Sequence, residues 1–290
     1  MKYPIKPNSY GFYSVEDVDN KLLRDGKGVV KYKIPYTKDY EYYPVYIAED
    51  SLSKYEKGED FFENVYWLMD NKKQREDMIV WEHDYKLPSY NYKIPWIHGM
   101  AQGLIVSVML RAYEKTEDKK YLKIAKGAYN VFEKELGKGG LQHIIGHDIW
   151  LEEYEVLPPA QILNGFVFIT FGIFELFKVT KEKKYEDMFK ECLSTIKNNL
   201  HKYDLGFWSR YNLLHEHPAT KLYHDLHIKQ MYALYYITDI TRDKIFLSYA
   251  KKWENCKKSF YKYQMARLYR LRIHFKNYGL IGCVRRYRSG

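Results

Sequence analysis

The sequence predicts a mainly α-helical chain, a partial (α/α) toroid of four helical hairpins preceded by a small N-terminal β-containing segment. Three observations carry this prediction. A polar turn followed by an aromatic recurs as Lys57-Gly58-Glu59-Asp60-Phe61, Thr116 to Tyr121, Thr180 to Tyr185 and Thr241 to Phe246, with the aromatics 60 to 64 residues apart. Self-similarity at a fixed period marks a repeated supersecondary unit. The stretch before each of the last three turns is apolar all round: Leu104 to Leu110, Phe166 to Phe177 and Ile228 to Ile237. The stretch after the turn is one-faced, with Ile124, Ala128 and Phe132 in one copy and Met188, Cys192, Ile196 and Leu200 in the next, the spacing of a helix with a single buried stripe. An apolar helix alternating with a one-faced one means an inner layer alternating with an outer layer.

Taken in order, residues 1–43 are rich in Tyr, Lys and Gly, with Pro4, Pro7 and Pro35. Within them Gly28 to Tyr36 is short, β-branched and aromatic, which predicts a strand or hairpin. Residues 44–258 carry the repeats. Residues 259–290 form a basic C-terminal tail holding eight Lys or Arg and no Asp or Glu. The formal charge of +10 is therefore concentrated at that end, where it suits an anionic polymer, a membrane surface or a solvated extension.

Cys192, Cys256 and Cys283 are odd in number and form no Cys-x-x-Cys, which argues against a disulfide framework or zinc site and for a reducing compartment. The first residues lack the apolar run of a signal peptide, so a cytoplasmic location is expected. The apolar run from Ile162 to Phe177 is interrupted by Asn164 and Glu175 and reads as a core helix, not a membrane span. There is no phosphate-cradling glycine loop, no Ser or Cys nucleophile motif and no nucleic-acid signature, so neither a cofactor nor a nucleic-acid partner is expected. The pairs His215/His217 and His224/His227 have spacings a metal could use. No Cys or carboxylate pattern accompanies them, and no metal site is expected.

The repeat has a functional corollary. If short turns join inner to outer helices at one end, the long returns Lys73 to His98, Gly137 to Pro159 and His201 to Tyr223 emerge at the other. Long loops in a compact domain are commonly functional. These returns gather Trp96 and His98, then Glu152, Glu153 and Tyr154, then Trp208, Arg210, Tyr211 and Tyr223, and are expected to converge on one rim. Aromatic rings with carboxylates and histidines suit a carbohydrate.

Four ordered motifs carry a resemblance. Pro95-Trp96-Ile97-His98-Gly99-Met100-Ala101-Gln102-Gly103, Glu152-Glu153-Tyr154 with Leu163-Asn164-Gly165, Tyr211-Asn212-Leu213, and Tyr223-His224-x-x-His227-Ile228-x-Gln230 resemble the C-terminal domain of D-glucuronyl C5-epimerases over about residues 40–258. The resemblance implies inversion at C5 of glucuronate within a heparosan- or heparan-like polysaccharide, giving iduronate, and a homodimer. It implies Glu153, Tyr154, Tyr211 and Tyr223 as catalytic residues. Trp96, His98, Gln102, Glu152, Asn164, Arg210, His224 and His227 are the candidate substrate-binding residues, with Arg210, His98 and His227 assigned to the substrate carboxylate. The chain departs from the family where Asn212-Leu213-Leu214 replaces Asp-Leu-Arg and where His98-Gly99 replaces Ser-Ala. The family's large N-terminal β-region, which supplies another tyrosine, is here about forty residues, with Tyr32, Tyr36, Tyr40, Tyr42 and Tyr43 as candidates.

The chemistry explains the residue types. The C5 proton is α to a carboxylate, so its removal creates an enolate-like dianion that needs electrostatic stabilisation. Inversion needs one group to take the proton and another to return it from the opposite face; Tyr211 and Tyr223 are the expected pair. Two other readings stay open. A polysaccharide lyase abstracts the same proton but expels the C4 substituent, and a non-catalytic relative binds the glycan without exchanging hydrogen.

Overall fold

The computed structural model describes residues 22–33, 39–85, 90, 93–237 and 243–287, with side chains through residue 276. Helices follow one another in pairs: α1 (Pro44–Lys57) and α2 (Phe62–Asp70), α3 (Gly99–Thr116) and α4 (Lys119–Tyr129), α5 (Leu163–Thr180) and α6 (Lys183–Asn199), α7 (Lys221–Ile237) and α8 (Lys244–Lys257), then α9 (Phe260–Tyr287).

The repeated turn works by one device. The first helix of a pair ends on a left-handed residue: Gly58 (φ 74°), Glu117 (φ 57°) and Lys181 (φ 62°). A left-handed residue at this position reverses the chain and closes the last carbonyls. Thr116 and Thr180 each donate a hydroxyl to the carbonyl four residues back, Ala112 and Leu176, and accept from the N–H two residues on, Asp118 and Glu182. Asp118 then caps α4, and Asp243 caps α8, by accepting from the N–H two residues later. Thr241 and Arg242 of the fourth copy lie outside the described residues.

Inner and outer helices differ as predicted. Every residue of α3 from Gly99 to Ala112 is buried, whereas in α4 burial follows one stripe through Tyr121, Ile124, Ala125 and Ala128. Helix α5 has the length and mean hydropathy (1.4) of a membrane span, but 78% of it is buried inside the protein, so it is a core helix. Helices α3 and α5 pack backbone to backbone, since a Cβ on Gly103 would meet Ile169 and one on Gly172 would meet Gly103. Near this contact Arg111 of α3 donates to both carboxylate oxygens of Glu175 on α5, at 2.8 and 3.2 Å. Both side chains are buried, and breaking such a pair from one side typically costs about 3–5 kcal/mol.

Contacts divide the chain into two compact units, one mainly Tyr13–Pro159 with Gly165–Thr195, the other mainly Ala160–Asn164 with Ile196–Gly290. In the first, β1 (Leu22–Arg24), β2 (Val30–Lys33) and β3 (Tyr40–Glu41) form an antiparallel sheet. The expected strand within Gly28 to Tyr36 is β2; Pro35 and Tyr36 lie outside the described residues. Strand β2 packs on α1 and Arg24 pairs with Asp50 at 2.7 Å, so these strands join the helices rather than standing apart. The first two long returns are not plain loops: they carry the hairpins β4 (Lys73–Arg75) with β5 (Met78–Val80), β6 (Glu82–His83) with β7 (Trp96–Ile97), and β8 (Gln142–Ile145) with β9 (Asp148–Leu151).

In the second unit, the basic tail is helix α9. Ala266 docks it into a cluster with Trp208, Ala219 and Cys256, which corrects the reading of a solvated extension. Tyr261, Leu268 and Phe275 stay exposed on α9.

Candidate active site

In the first unit two long returns meet. An isolated antiparallel bridge joins His98 to Tyr154, and the Gly99 N–H donates to the Glu153 carbonyl at 2.7 Å. Two glycines of the sequence motifs make room. A Cβ on Gly99 would strike the Glu152 carbonyl, and one on Gly165, in the first turn of α5, would strike the Glu153 carboxyl. Glu152, Glu153 and Tyr154 are thereby set against the first turns of two inner helices.

Around them runs a chain of rings. His98 lies 4.8 Å from Tyr154, 5.6 Å from Tyr43 and 6.1 Å from His83, and His83 stacks on Trp96 at 4.2 Å. Tyr90 reaches Tyr154 at 5.0 Å; Tyr92 lies outside the described residues. Among the described N-terminal tyrosines considered from the sequence, Tyr43 contacts His98. Tyr42 instead donates to Asp25, and Tyr32 stacks on Tyr46. Tyr36 lies outside the described residues.

Burial sets the charges here. It pushes the Glu153 carboxyl up to about 8, with the Tyr154 hydroxyl pulling partly back. It pushes His83 down to about 3 and His98 well below its ordinary value, His83 adding to the shift at His98. Desolvation penalises the charged form of acid and base alike. The ring Nδ1 of His98 accepts from the Ala101 N–H as helix cap, so the neutral ring carries its proton on Nε2. That nitrogen faces Glu153 Oε1 at 3.7 Å, a contact between neutral groups rather than an ion pair. Glu153 Oε2 is buried without a hydrogen-bond partner.

Several sequence-named binding residues turn out to hold the scaffold. Trp96 is wholly buried, with its indole N–H on the Tyr85 carbonyl. Gln102 spends its amide on Ile79 O, Ala128 O and the Trp81 N–H. Neither can present a face to a sugar without dismantling these contacts. Glu152 is also fully buried, its N–H donating to Leu141 O. In the free protein burial disfavours the charged forms of His98 and His227.

The second unit has its own polar cluster. His224 Nε2 lies 3.1 Å from the Trp253 carbonyl and must donate to it. Its Nδ1 therefore accepts, from the Ser209 N–H at 3.2 Å and the Ser209 hydroxyl at 2.7 Å. The Ser209 oxygen then accepts from His227 Nδ1 at 2.9 Å. Burial pushes His224 down to about 4 and His227 to about 3, and Trp208 stacks on His224 at 3.7 Å. His224 is thus a closed structural node, not a sugar ligand.

Beside this node Tyr211 and Tyr223 pack ring on ring, with centroids 4.6 Å apart and tilted by 48°; both are partly buried. A pyranose does not fit between rings at that spacing. Arg210 is partly buried and donates to the Lys202 carbonyl at 2.9 Å. The Asn164 carbonyl accepts from the Gln230 amide at 3.0 Å.

Sequence reasoning missed Glu49. It lies on α1 between buried Ala48 and buried Ser51 and Leu52, is itself only partly buried, and its carboxyl is pushed up to about 8, first by burial and then by Glu153. The signal available was weak, an acid flanking the apolar stripe of a helix.

Residues 74–255 match the family model described as D-glucuronyl C5-epimerase C-terminus. An uncharacterized protein of Methanocaldococcus jannaschii is 36% identical over 179 residues, covering 60% of this chain and 57% of its own length. A D-glucuronyl C5-epimerase of Caenorhabditis elegans is 27% identical over 210 residues, covering 67% of this chain and 34% of its own. The chain thus spans a third to somewhat over half of these curated relatives. Among solved structures, a sugar epimerase from a ruminal bacterium superposes with a TM-score of 0.52 at 14% identity, covering 82% of this chain and 67% of that one. A family 76 glycoside hydrolase from a bovine Bacteroides thetaiotaomicron strain gives 0.50 at 13%, covering 82% and 53%. At such identities the likeness establishes the (α/α) toroid fold class alone.

Proposed function

The chain belongs to the D-glucuronyl C5-epimerase C-terminus family, and from that premise we propose that it inverts C5 of glucuronate units within an acidic polysaccharide to give iduronate. The observation that carries the reading is Glu153. A carboxyl pushed up to about 8 beside a tyrosine hydroxyl still holds its proton near neutral pH, where an acid/base catalyst needs one to give. A protonated Glu153 also adds no charge to repel an anionic sugar.

The roles are proposed residue by residue. In the first unit, Glu153 and Tyr154 relay the proton. In the second, Tyr211 and Tyr223 are acid/base groups and Arg210 is the cation for the substrate carboxylate. Because the two tyrosine rings touch, they do not straddle a sugar ring. One of the two opposing proton transfers therefore falls to a group outside this pair.

The test is incubation with a glucuronate polymer such as heparosan in deuterated water, followed by NMR at C5. Deuterium at C5 with new iduronate establishes epimerisation, and Tyr211→Phe or Tyr223→Phe is then expected to slow it by about 10²-fold or more. An ultraviolet-absorbing unsaturated uronate identifies a lyase instead. Binding without exchange identifies a glycan-binding protein.

A further inference from the structure

We propose that the outward face of α9 docks on an anionic membrane surface, with its apolar side chains entering the interface and its cations meeting lipid phosphates. The proposal is independent of the epimerase reading and needs no sugar substrate.

One side of the helix is already committed to the second unit. Ala266 and Tyr263 pack against Trp208, Ala219 and Cys256. Arg270 donates to the Pro218 carbonyl at 3.2 Å and to the Ala219 carbonyl, and His274 stacks on His217 at 4.6 Å. Positions 263, 266, 270 and 274 follow the three-to-four spacing of a single helical face. These contacts fix the rotation of α9 about its own axis, so its opposite face is held outward.

That opposite face is both apolar and cationic. Tyr261, Leu268 and Phe275 recur every seven residues, about two turns of helix, and are 72%, 66% and 55% exposed. Arg272 and Lys276 are exposed four and eight residues after Leu268, on the same side. Exposed hydrophobics scattered singly are ordinary, whereas a row of them along one face marks an interaction surface. From residue 260 to residue 276 the helix carries Lys262, Arg267, Arg270, Arg272 and Lys276, and no Asp or Glu.

The combination selects the occupant. An acidic polysaccharide matches the cations but gains nothing from covering Leu268 and Phe275. A second copy of the same face matches the apolar row but sets cations against cations, with no acid on this stretch to answer them. An anionic lipid surface answers both features, since a helix lying in the interface buries leucine and aromatic side chains while Arg and Lys meet the headgroups. Five cations in this stretch suit a helix that lies along the surface rather than one that crosses it. Docking through the outward face leaves the contacts of Ala266, Arg270 and His274 intact, so the second unit keeps its fold on the membrane.

The test is flotation of the whole protein with vesicles of phosphatidylcholine alone and with roughly one part in three of phosphatidylglycerol. The protein is expected to float with the anionic vesicles and not with the neutral ones, and most of it is expected to be released at about 0.5 M salt as the lipid charge is screened. Arg272→Gln with Lys276→Gln is expected to weaken binding by about 30-fold, and Leu268→Glu with Phe275→Glu to abolish it. All four side chains are exposed, so the variants are expected to melt as the wild type does. No flotation of the wild type, equal flotation with neutral vesicles, or undiminished flotation of the Leu268→Glu, Phe275→Glu protein overturns the proposal. Without lipid binding, a dimer in sedimentation velocity that the same double variant dissolves overturns it in favour of an interface between copies. Retention on immobilised heparosan that the double variant loses, again without lipid binding, overturns it in favour of the polymer.

Discussion

The two units each contain a buried polar cluster, and the clusters differ in how they are completed. Around Ser209, the polar atoms of His224 find partners in sequence: carbonyl to ring, ring to hydroxyl, then hydroxyl to His227. Around Glu153, the shortest side-chain contact to His98 is 3.7 Å and one carboxyl oxygen has no partner. Both clusters are driven toward neutrality by the same desolvation. Both clusters end on an unpartnered buried atom, Glu153 Oε2 in one and His227 Nε2 in the other; what differs is the middle, where both ring nitrogens of His224 are used, an arrangement that rigidifies a core.

The sharpest break comes from Glu153→Gln. Loss of activity by about 10²–10⁴-fold is expected with an unchanged or higher Tm, read by the deuterium assay and thermal melts. Next is His224→Ala, expected to cost ~2–3 kcal/mol of stability in denaturant titrations, since it removes the acceptor of the Ser209 N–H and hydroxyl and the ring donor to the Trp253 carbonyl. Ser209→Ala removes the central hydroxyl alone and is expected to cost ~1–2 kcal/mol.

A further effect is a tilt in stability with pH that has opposite sign in the two clusters. The folded-state values of Glu49 and Glu153 are raised, so their contribution is fully present below about 4.5 and is lost as pH rises through about 8. Those of His224 and His227 are lowered, so their contribution is present above about 6.5 and is lost as pH falls through about 4 and 3. Chemical denaturation across pH is expected to become flatter on the alkaline side in Glu153→Gln, with the acid side unmoved.

The helical pairs were legible because turn chemistry and burial period are local. Thr116 and Thr180 perform the same two hydrogen bonds in both copies, and α3 and α4 display their inner and outer roles in composition alone. The glycines at 99 and 165 were legible as motif residues but not as reasons, because the atoms they admit belong to another segment, Glu152 and Glu153, brought against them only by folding. Trp96, Gln102 and His224 show the limit in the other direction. A tryptophan, an amide or an imidazole looks the same in a sequence whether it faces a sugar or satisfies a backbone carbonyl, and only three-dimensional partners decide. Glu49 was invisible for a related reason. Its raised carboxyl reflects burial first and then the charge of Glu153, and nothing in the local pattern of α1 signals either.

Helix α3 has no wet side along fourteen successive residues, and part of its cover is α5, against which its backbone is pressed at Gly103. During synthesis α3 leaves the ribosome while α5 is still untranslated. For that interval the growing chain has α1, α2 and α4 to cover α3 but leaves bare the face that α5 will take, the situation in which nascent chains aggregate or recruit chaperones. A chain cut after α4 would stay in that condition permanently, so the first unit cannot be shortened helix by helix and must be made through α5 before its core is covered.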